Sequence, residues 1–213
     1  MKKEIKIIPA INENSFNEIE RKLNLVSPFS DWVHLDIADG SFTPNILWNE
    51  PERLEDIETE IKIEVHLMVL NPEYVFEKWL GKNTARIIFN LETINNFDFL
   101  ATALAKHGVE IGLSITPNTS YTTLKPYLDK IDLAQILAVS PGMSGQKFEE
   151  NSLEKISALR TICSNCVIEI DGGINSETAK NAILAGADIL VSSSYVWSGG
   201  NIEERIKSLK KFY

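Results

Sequence analysis

The chain has 213 residues, 44% hydrophobic and 24% charged, with a formal net charge of −9. This predicts one globular domain over residues 1–213 with a sizeable core, and the acidic balance without a Lys/Arg cluster argues against nucleic acid or an anionic membrane as partner. No apolar run approaches a membrane span and Met1-Lys2-Lys3-Glu4 lacks the apolar core of a signal peptide, so a cytoplasmic location is expected.

Ile5 to Pro9 reads as a first strand, and Ser15 opens a helix to about Asn24 with Phe16, Ile19 and Leu23 at helical spacing. The second strand, Trp32-Val33-His34-Leu35-Asp36-Ile37-Ala38, ends at Asp39-Gly40. Its alternation sends Val33, Leu35 and Ile37 to one face and Trp32, His34 and Asp36 to the other. After the loop Ser41 to Asn45 and a weak acidic helix around Glu50 to Glu60, a third strand from Ile61 to Val69 repeats the pattern. There Lys62, Glu64, His66 and Met68 oppose the aliphatics. Asn71-Pro72-Glu73 reads as a helix cap with proline in the first helical position, the helix running to about Leu80.

A fourth strand spans Ala85 to Leu91, with Arg86 and Asn90 on one face. Phe97 to His107 is helical and stops at Gly108, which leaves His107 as a helix-end surface residue. Strand five is Glu110 to Thr116, followed by a helical stretch from Ser120 to Leu128, and strand six is Ala134 to Ser140. The glycine-bearing loop Pro141 to Phe148 follows, then a helix from Ser152 to Ile162. Strand seven, Val167 to Asp171, puts Glu169 and Asp171 opposite Ile168 and Ile170. A helix from Ser176 ends at Gly186, strand eight is Asp188 to Ser192, and Ile202 to Lys211 closes the chain as a helix.

Eight strands, each followed by a helical segment, predict a parallel sheet with right-handed crossovers. An open doubly wound sheet would need strands apolar on both faces. Strands two, three, four and seven carry polar residues on one face, which favours an α/β fold of the closed (β/α)8 TIM-barrel type. In such a barrel the chemistry sits at the carboxyl ends of the strands, where His34, Asp36, His66 and Asp171 fall. Two imidazoles and two carboxylates suit one divalent metal ion, most naturally Zn2+, with Fe2+, Mn2+ or Co2+ also compatible. Lys62, Glu64 and Glu169, lower on the same faces, read as a buried ion-pair network at the barrel base. Gly172-Gly173 after strand seven and Ser193-Ser194 after strand eight occupy the loops where barrels commonly hold phosphate. Cys163 and Cys166 sit before a strand with no further thiols to complete a zinc site, and read as two incidental loop thiols.

These residues together resemble the ribulose-phosphate 3-epimerase family over nearly the whole chain. His34-Leu-Asp36-Ile-Ala-Asp39-Gly40-Ser-Phe-Thr-Pro44-Asn45 resembles its first signature and Val65-His66-Leu67-Met68-Val69 its second. Val139-Ser-Pro141-Gly142-Met143-Ser144-Gly145-Gln146-Lys147-Phe148 is similar to its mobile loop. Ile168-Glu169-Ile170-Asp171-Gly172-Gly173 and Ala185-Gly186-Ala187-Asp188 are similar to its later motifs.

The resemblance implies an isomerase of the pentose phosphate pathway, of the ribulose-phosphate-binding barrel type. It would invert C3 between D-ribulose 5-phosphate and D-xylulose 5-phosphate through a cis-enediolate. Asp36 and Asp171 would be the two bases, on opposite sides of the carbon, and His34, Asp36, His66 and Asp171 the metal ligands. His66, Met68, Gly142, Met143, Ser144 and Gly145 would contact or cover the substrate, and Gly172, Gly173, Ser193 and Ser194 would hold the phosphate. A homo-oligomer is expected by analogy. The chain departs from the family pattern at Ala10, Ala38, Asn90, Leu137, Ser144 and Ser193, which keeps a related hexulose such as allulose 6-phosphate, and a non-catalytic sugar-phosphate-binding paralogue, as alternatives. A decarboxylase or aldolase of the related barrels would carry Asp-x-Lys-x-x-Asp, and no lysine follows Asp36.

Overall fold

The computed structural model describes residues 5–142 and 145–211. Eight parallel strands close into a barrel in sequence order, β1 (Lys6–Ile11), β2 (Trp32–Ala38), β3 (Lys62–Met68), β4 (Thr84–Asn90), β5 (Glu110–Ile115), β6 (Leu133–Leu137), β7 (Ile168–Asp171) and β8 (Ile189–Ser192). β8 returns to β1, with Pro9 in register with Ser192. The helices α1 (Phe16–Val26), α2 (Phe97–His107), α3 (Asn151–Ile162), α4 (Ser176–Ala185), α5 (Ser194–Trp197) and α6 (Ile202–Leu209) fall between or after the strands.

The period-2 alternation explains where the core lies. The outward residues Val33, Leu35, Ile37, Ile63, Val65, Leu67, Ile87 and Phe89 join the main apolar cluster between barrel and helices, with Phe16, Trp48, Phe76 and Trp79. A smaller cluster of Ile8, Ala10, Trp32, Ile88, Leu133, Ile189 and Val191 fills the barrel interior. All seven residues of β2 are buried, so the polar face of that strand is enclosed and not solvated. His34, Glu64, His66, Asn90, Ser114, Gln135 and Glu169 are likewise buried inside the barrel.

Several connections differ from the sequence expectation. The stretches expected as helices around 50–60, 72–80 and 120–128 are short 3-10 turns, Pro51–Asp56, Pro72–Tyr74, Phe76–Trp79 and Tyr121–Tyr127. Proline at the start of two of them, and Pro126 inside the last, limits how far a hydrogen-bonded helix can run. Asn71 does not cap with its side chain. Its φ of 51° is left-handed, outside the extended geometry of an N-cap, and its Oδ1 accepts from Asn95 Nδ2 at 2.9 Å. The one-turn α5 was not expected; its Trp197 Nε1 donates to the Ala10 carbonyl at 2.6 Å and pins the end of β1.

Two charged or reactive groups also need correction. Lys62 is exposed and lies over the Trp32 ring at 5.4 Å, outside any buried network. It is the first residue of β3, where the inward face opens to solvent at the barrel base. The buried cation beside Glu64 is Arg86, which pairs with Glu64 and donates from Nε to Glu110 at 2.8 Å, while Glu169 accepts from Gln135 Nε2 at 2.8 Å. Cys163 and Cys166 are not free thiols but form a disulfide, their Cα atoms 5.5 Å apart. α3 ends at Ile162 with Cys163 extended, and the turn that follows brings the pair into bonding range. Arg160 braces that turn, donating to the carbonyls of Ser164 and Cys166 at 2.8 Å each.

Candidate active site

Strand register positions the site. His34 pairs with Glu64 and Asp36 with His66 across β2 and β3, so two inward residues of each strand stack towards the carboxyl end. Asp171, the last residue of β7, faces them across the barrel. One donor atom from each of His34, Asp36, His66 and Asp171 lies within 4.8 Å of all the others. Asp36 Oδ1 is 3.2 Å from His34 Nε2 and 3.1 Å from His66 Nδ1.

The outer nitrogens of both imidazoles are engaged by buried polar side chains. His34 Nδ1 lies 2.7 Å from Glu64 Oε1, and His66 Nε2 lies 3.2 Å from Asn90 Oδ1. Each acceptor fixes a proton on that outer nitrogen, which leaves the lone pairs of His34 Nε2 and His66 Nδ1 directed at the shared point. The donor set therefore fits a divalent cation of the zinc, iron or manganese type.

Electrostatics make the same fit. Burial disfavours the charged Asp36 carboxylate, but the two imidazoles outweigh it and hold its pKa well below the usual range. Burial also opposes protonation of His34, and the Asp36 and Glu64 carboxylates overcome it, raising its pKa well above the histidine norm. Without a cation, a proton on His34 thus compensates Asp36; a metal would displace that proton. Asp171 is pushed up to about 6, first by burial and then by the Asp36 carboxylate. Two carboxylates converging in a buried space are a repulsive arrangement that a cation relieves.

Above the donors opens a cleft lined by Asn12, Asp36, Met68, Gly142, Gly145 and Asp171, with Gly172, Gly173, Ser193 and Ser194 on its β7–β8 side. His34 and His66 are fully buried beneath it and do not line it. Met143 and Ser144 lie outside the described residues. Gly172 has φ 106°, and a Cβ there would stand 2.5 Å from Val139 Cγ2. Gly173 has φ 64°, and a Cβ would meet the Phe148 backbone at 2.9 Å. Both glycines let the loop after β7 pass close beneath the loop after β6.

Sequence reasoning missed Asn12, Asn45 and the supporting part of Asn90. Asn12 Nδ2 donates to Asp36 Oδ2, and Asn12 Oδ1 accepts from Ser193 Oγ at 2.6 Å. Asn45 Nδ2 donates to the Gly142 carbonyl, tying the loop after β2 to the loop after β6. The signal for Asn12 was its parity: it follows Ile8 and Ala10, both inward, but the first strand was expected to stop at Pro9.

The sequence model described as the Ribulose-phosphate 3 epimerase family matches residues 6–197. The chain is 36% identical over 191 residues to a protein named ribulose-phosphate 3-epimerase from Chlamydia pneumoniae, covering 85% of this chain and 83% of that one. It is 33% identical over 205 residues to another of that name from Treponema pallidum, covering 93% and 94%. Among solved structures, 3-hexulose-6-phosphate synthase from Salmonella typhimurium superimposes with a TM-score of 0.72 over 98% of both chains at 13% identity, and orotidine 5'-monophosphate decarboxylase from Sulfolobus solfataricus with 0.65 over 98% and 97% at 12%. At those identities the structural likeness speaks for the barrel alone. The match over residues 6–197, together with the two relatives, shows that this chain belongs to the ribulose-phosphate 3-epimerase family.

Proposed function

We propose that this chain inverts C3 between D-ribulose 5-phosphate and D-xylulose 5-phosphate, with Asp36 and Asp171 as the two proton-transfer groups at a divalent metal held by His34, Asp36, His66 and Asp171. Family membership carries the reaction class: the chain is an epimerase, an isomerase acting on carbohydrate. The observation that carries the site assignment is the convergence of those four donors within 4.8 Å at the floor of a cleft whose β7–β8 side is glycine and serine. Epimerisation needs a group that removes a proton from one face and one that returns a proton to the other. In the metal-free site Asp36 is held ionised and Asp171 is pushed up to about 6, so the two carboxylates start from different protonation states, one suited to taking a proton and one to giving it. When bound, the metal supplies Lewis-acid stabilisation of the negative charge that develops on the sugar oxygens.

Met68 forms an apolar wall beside the reacting carbon, and Gly142 and Gly145 belong to the loop that covers it. Gly172, Gly173, Ser193 and Ser194 hold the phosphate through backbone N–H groups. The reading takes residues 1–213 as one catalytic domain and zinc as the resident ion, in a cytoplasmic homo-oligomer. Among the described residues no helix is long and apolar enough to cross a membrane. A second substrate, a hexulose 6-phosphate such as allulose 6-phosphate, is favoured by Ala10, whose methyl group brings no polar atom to the inner face of β1.

The test is a panel of pentulose and hexulose phosphates in heavy water, with and without a chelator. Deuterium entering C3 with inversion, and chelator-sensitive, is the expected result. Binding without exchange for every sugar would overturn the catalytic reading.

A further inference from the structure

Asn12 stands between the two halves of the site. Ala10 is in register with His34, so Asn12, two residues further and of the same parity, comes level with Asp36. On its other side β1 runs beside β8, which ends one residue before Ser193. The half-buried carboxamide uses both ends: Nδ2 donates to Asp36 Oδ2, and Oδ1 accepts from Ser193 Oγ at 2.6 Å. A carboxylate only accepts, so the amide NH2 must face Asp36 and its oxygen must face Ser193. The Ser193 hydroxyl hydrogen is then committed to Asn12.

This arrangement divides the work of the Asp36 carboxylate. Oδ1 faces the imidazole pair at 3.1 and 3.2 Å, whereas Oδ2 is oriented by Asn12 alone among the contacts described. A phosphate oxygen arriving beside Ser193 is a stronger acceptor than an amide carbonyl, because the bond is charge-assisted. It would draw the Ser193 hydroxyl away and leave Asn12 Oδ1 to accept from a hydroxyl of the sugar. We propose that Asn12 is a positioning residue that sets the orientation of Asp36 Oδ2 and, through Ser193, makes that orientation respond to phosphate in the cleft. This rests on the reading that Asp36 takes part in proton transfer and that the β7–β8 side binds phosphate.

Two measurements test it. In 15N-labelled, metal-loaded protein, inorganic phosphate should shift the Asn12 side-chain amide signals, assigned by their loss in Asn12→Leu or, should that variant not fold, in Asn12→Asp. In Ser193→Ala the shift should fall at least about twofold, since the connecting hydroxyl is gone. In turnover, Asn12→Leu should lower kcat by about 10- to 100-fold with KM changed by less than about threefold, as expected when a reacting group is misoriented but binding persists. Ser193→Ala should also reduce kcat/KM, and the double substitution should lose less than the product of the two single losses. An equal phosphate response with and without the Ser193 hydroxyl, or strictly multiplicative losses, overturns the inference. Absence of turnover in the unsubstituted protein would overturn the proposed function while the phosphate-shift measurement still decides the connection from Ser193 to Asn12.

Discussion

Glu64→Gln tests whether His34 is set up by the carboxylate behind it. Glu64 is fully buried and its two oxygens serve different partners: Oε1 meets His34 Nδ1 at 2.7 Å, and Oε2 pairs with Arg86 Nη1. A carboxylate can accept from both. A carboxamide has one acceptor end, so glutamine must fail one side. If its oxygen faces His34, its NH2 meets the Arg86 guanidinium, donor against donor. If it flips, its NH2 faces His34 Nδ1, which can then only accept, and the ring proton moves to Nε2, the nitrogen aimed at the metal position. The first orientation costs stability and the second costs metal affinity.

The magnitudes follow. Breaking one side of a buried ion pair costs about 3–5 kcal/mol, and Arg86 keeps its Nε bond to Glu110 at 2.8 Å, so the lower end, about 3 kcal/mol, is expected. That is a large share of a typical total of about 5–15 kcal/mol. Loss of an outer-shell partner costs about 10- to 100-fold in metal affinity. Urea unfolding in the presence of chelator reads the first, and competition between the protein and a chromogenic chelator for zinc reads the second. A variant with metal affinity within about twofold of the parent and a stability loss under about 1 kcal/mol would refute the argument that Glu64 fixes the His34 tautomer.

Asp171→Asn should abolish C3 exchange, by about 10²-fold or more, while far-ultraviolet dichroism stays that of the folded parent; parent-like exchange would remove Asp171 from the proton-transfer pair. Glu169 has its pKa raised well above the carboxylate range by burial and then by Glu64. The unfolded chain therefore releases that proton first as pH rises, so the contribution to stability is full below the unfolded value and is lost as pH climbs towards the folded one. Glu169→Gln should remove that loss in chelator-treated protein, its advantage growing with pH; a pH-independent difference in urea unfolding would contradict it. Some slope should remain, since Asp171, pushed up to about 6, has the same sign. Gly172→Ala should destabilise by about 1–3 kcal/mol, because φ is 106° and Val139 Cγ2 stands 2.5 Å from the new Cβ; an unchanged urea midpoint would show that the loop adapts freely.

The barrel was readable because an imidazole or carboxylate in an otherwise apolar strand fixes which face is which. His34, Asp36, His66 and Asp171 could be taken from parity together with their place near the carboxyl ends of the strands, and the closed barrel brings them within 4.8 Å. The 3-10 segments were not readable as such: over three to seven residues, periodicity cannot separate them from α-helix, and proline limits three of the four. The supporting asparagines were hidden for another reason. Asn12 meets partners 24 and 181 residues away, and nothing local to an asparagine announces such contacts. Lys62 was misassigned because parity says which face a residue takes but not where along the strand the barrel opens to water.

The two aspartates differ through what lies beneath each. Under Asp36 runs a column in which each group fixes the next: Arg86 neutralises Glu64, Glu64 orients His34, and His34 presents Nε2 to Asp36 Oδ1. The column ends in a protonated imidazole, so the carboxylate above it stays ionised. Two residues below Asp171 on the same face of β7 is Glu169, itself raised by burial and by Glu64. Among the described residues Arg86 makes its ion pairs with Glu64 and Glu110, and none is described with a residue of β7. For Asp171, burial and the charge of Asp36 outweigh the pull of His34 and His66, and its pKa moves upward. Similar carboxylates at two strand ends are thus driven apart, one towards accepting a proton and one towards holding it. A single inversion at carbon needs that difference between its two faces.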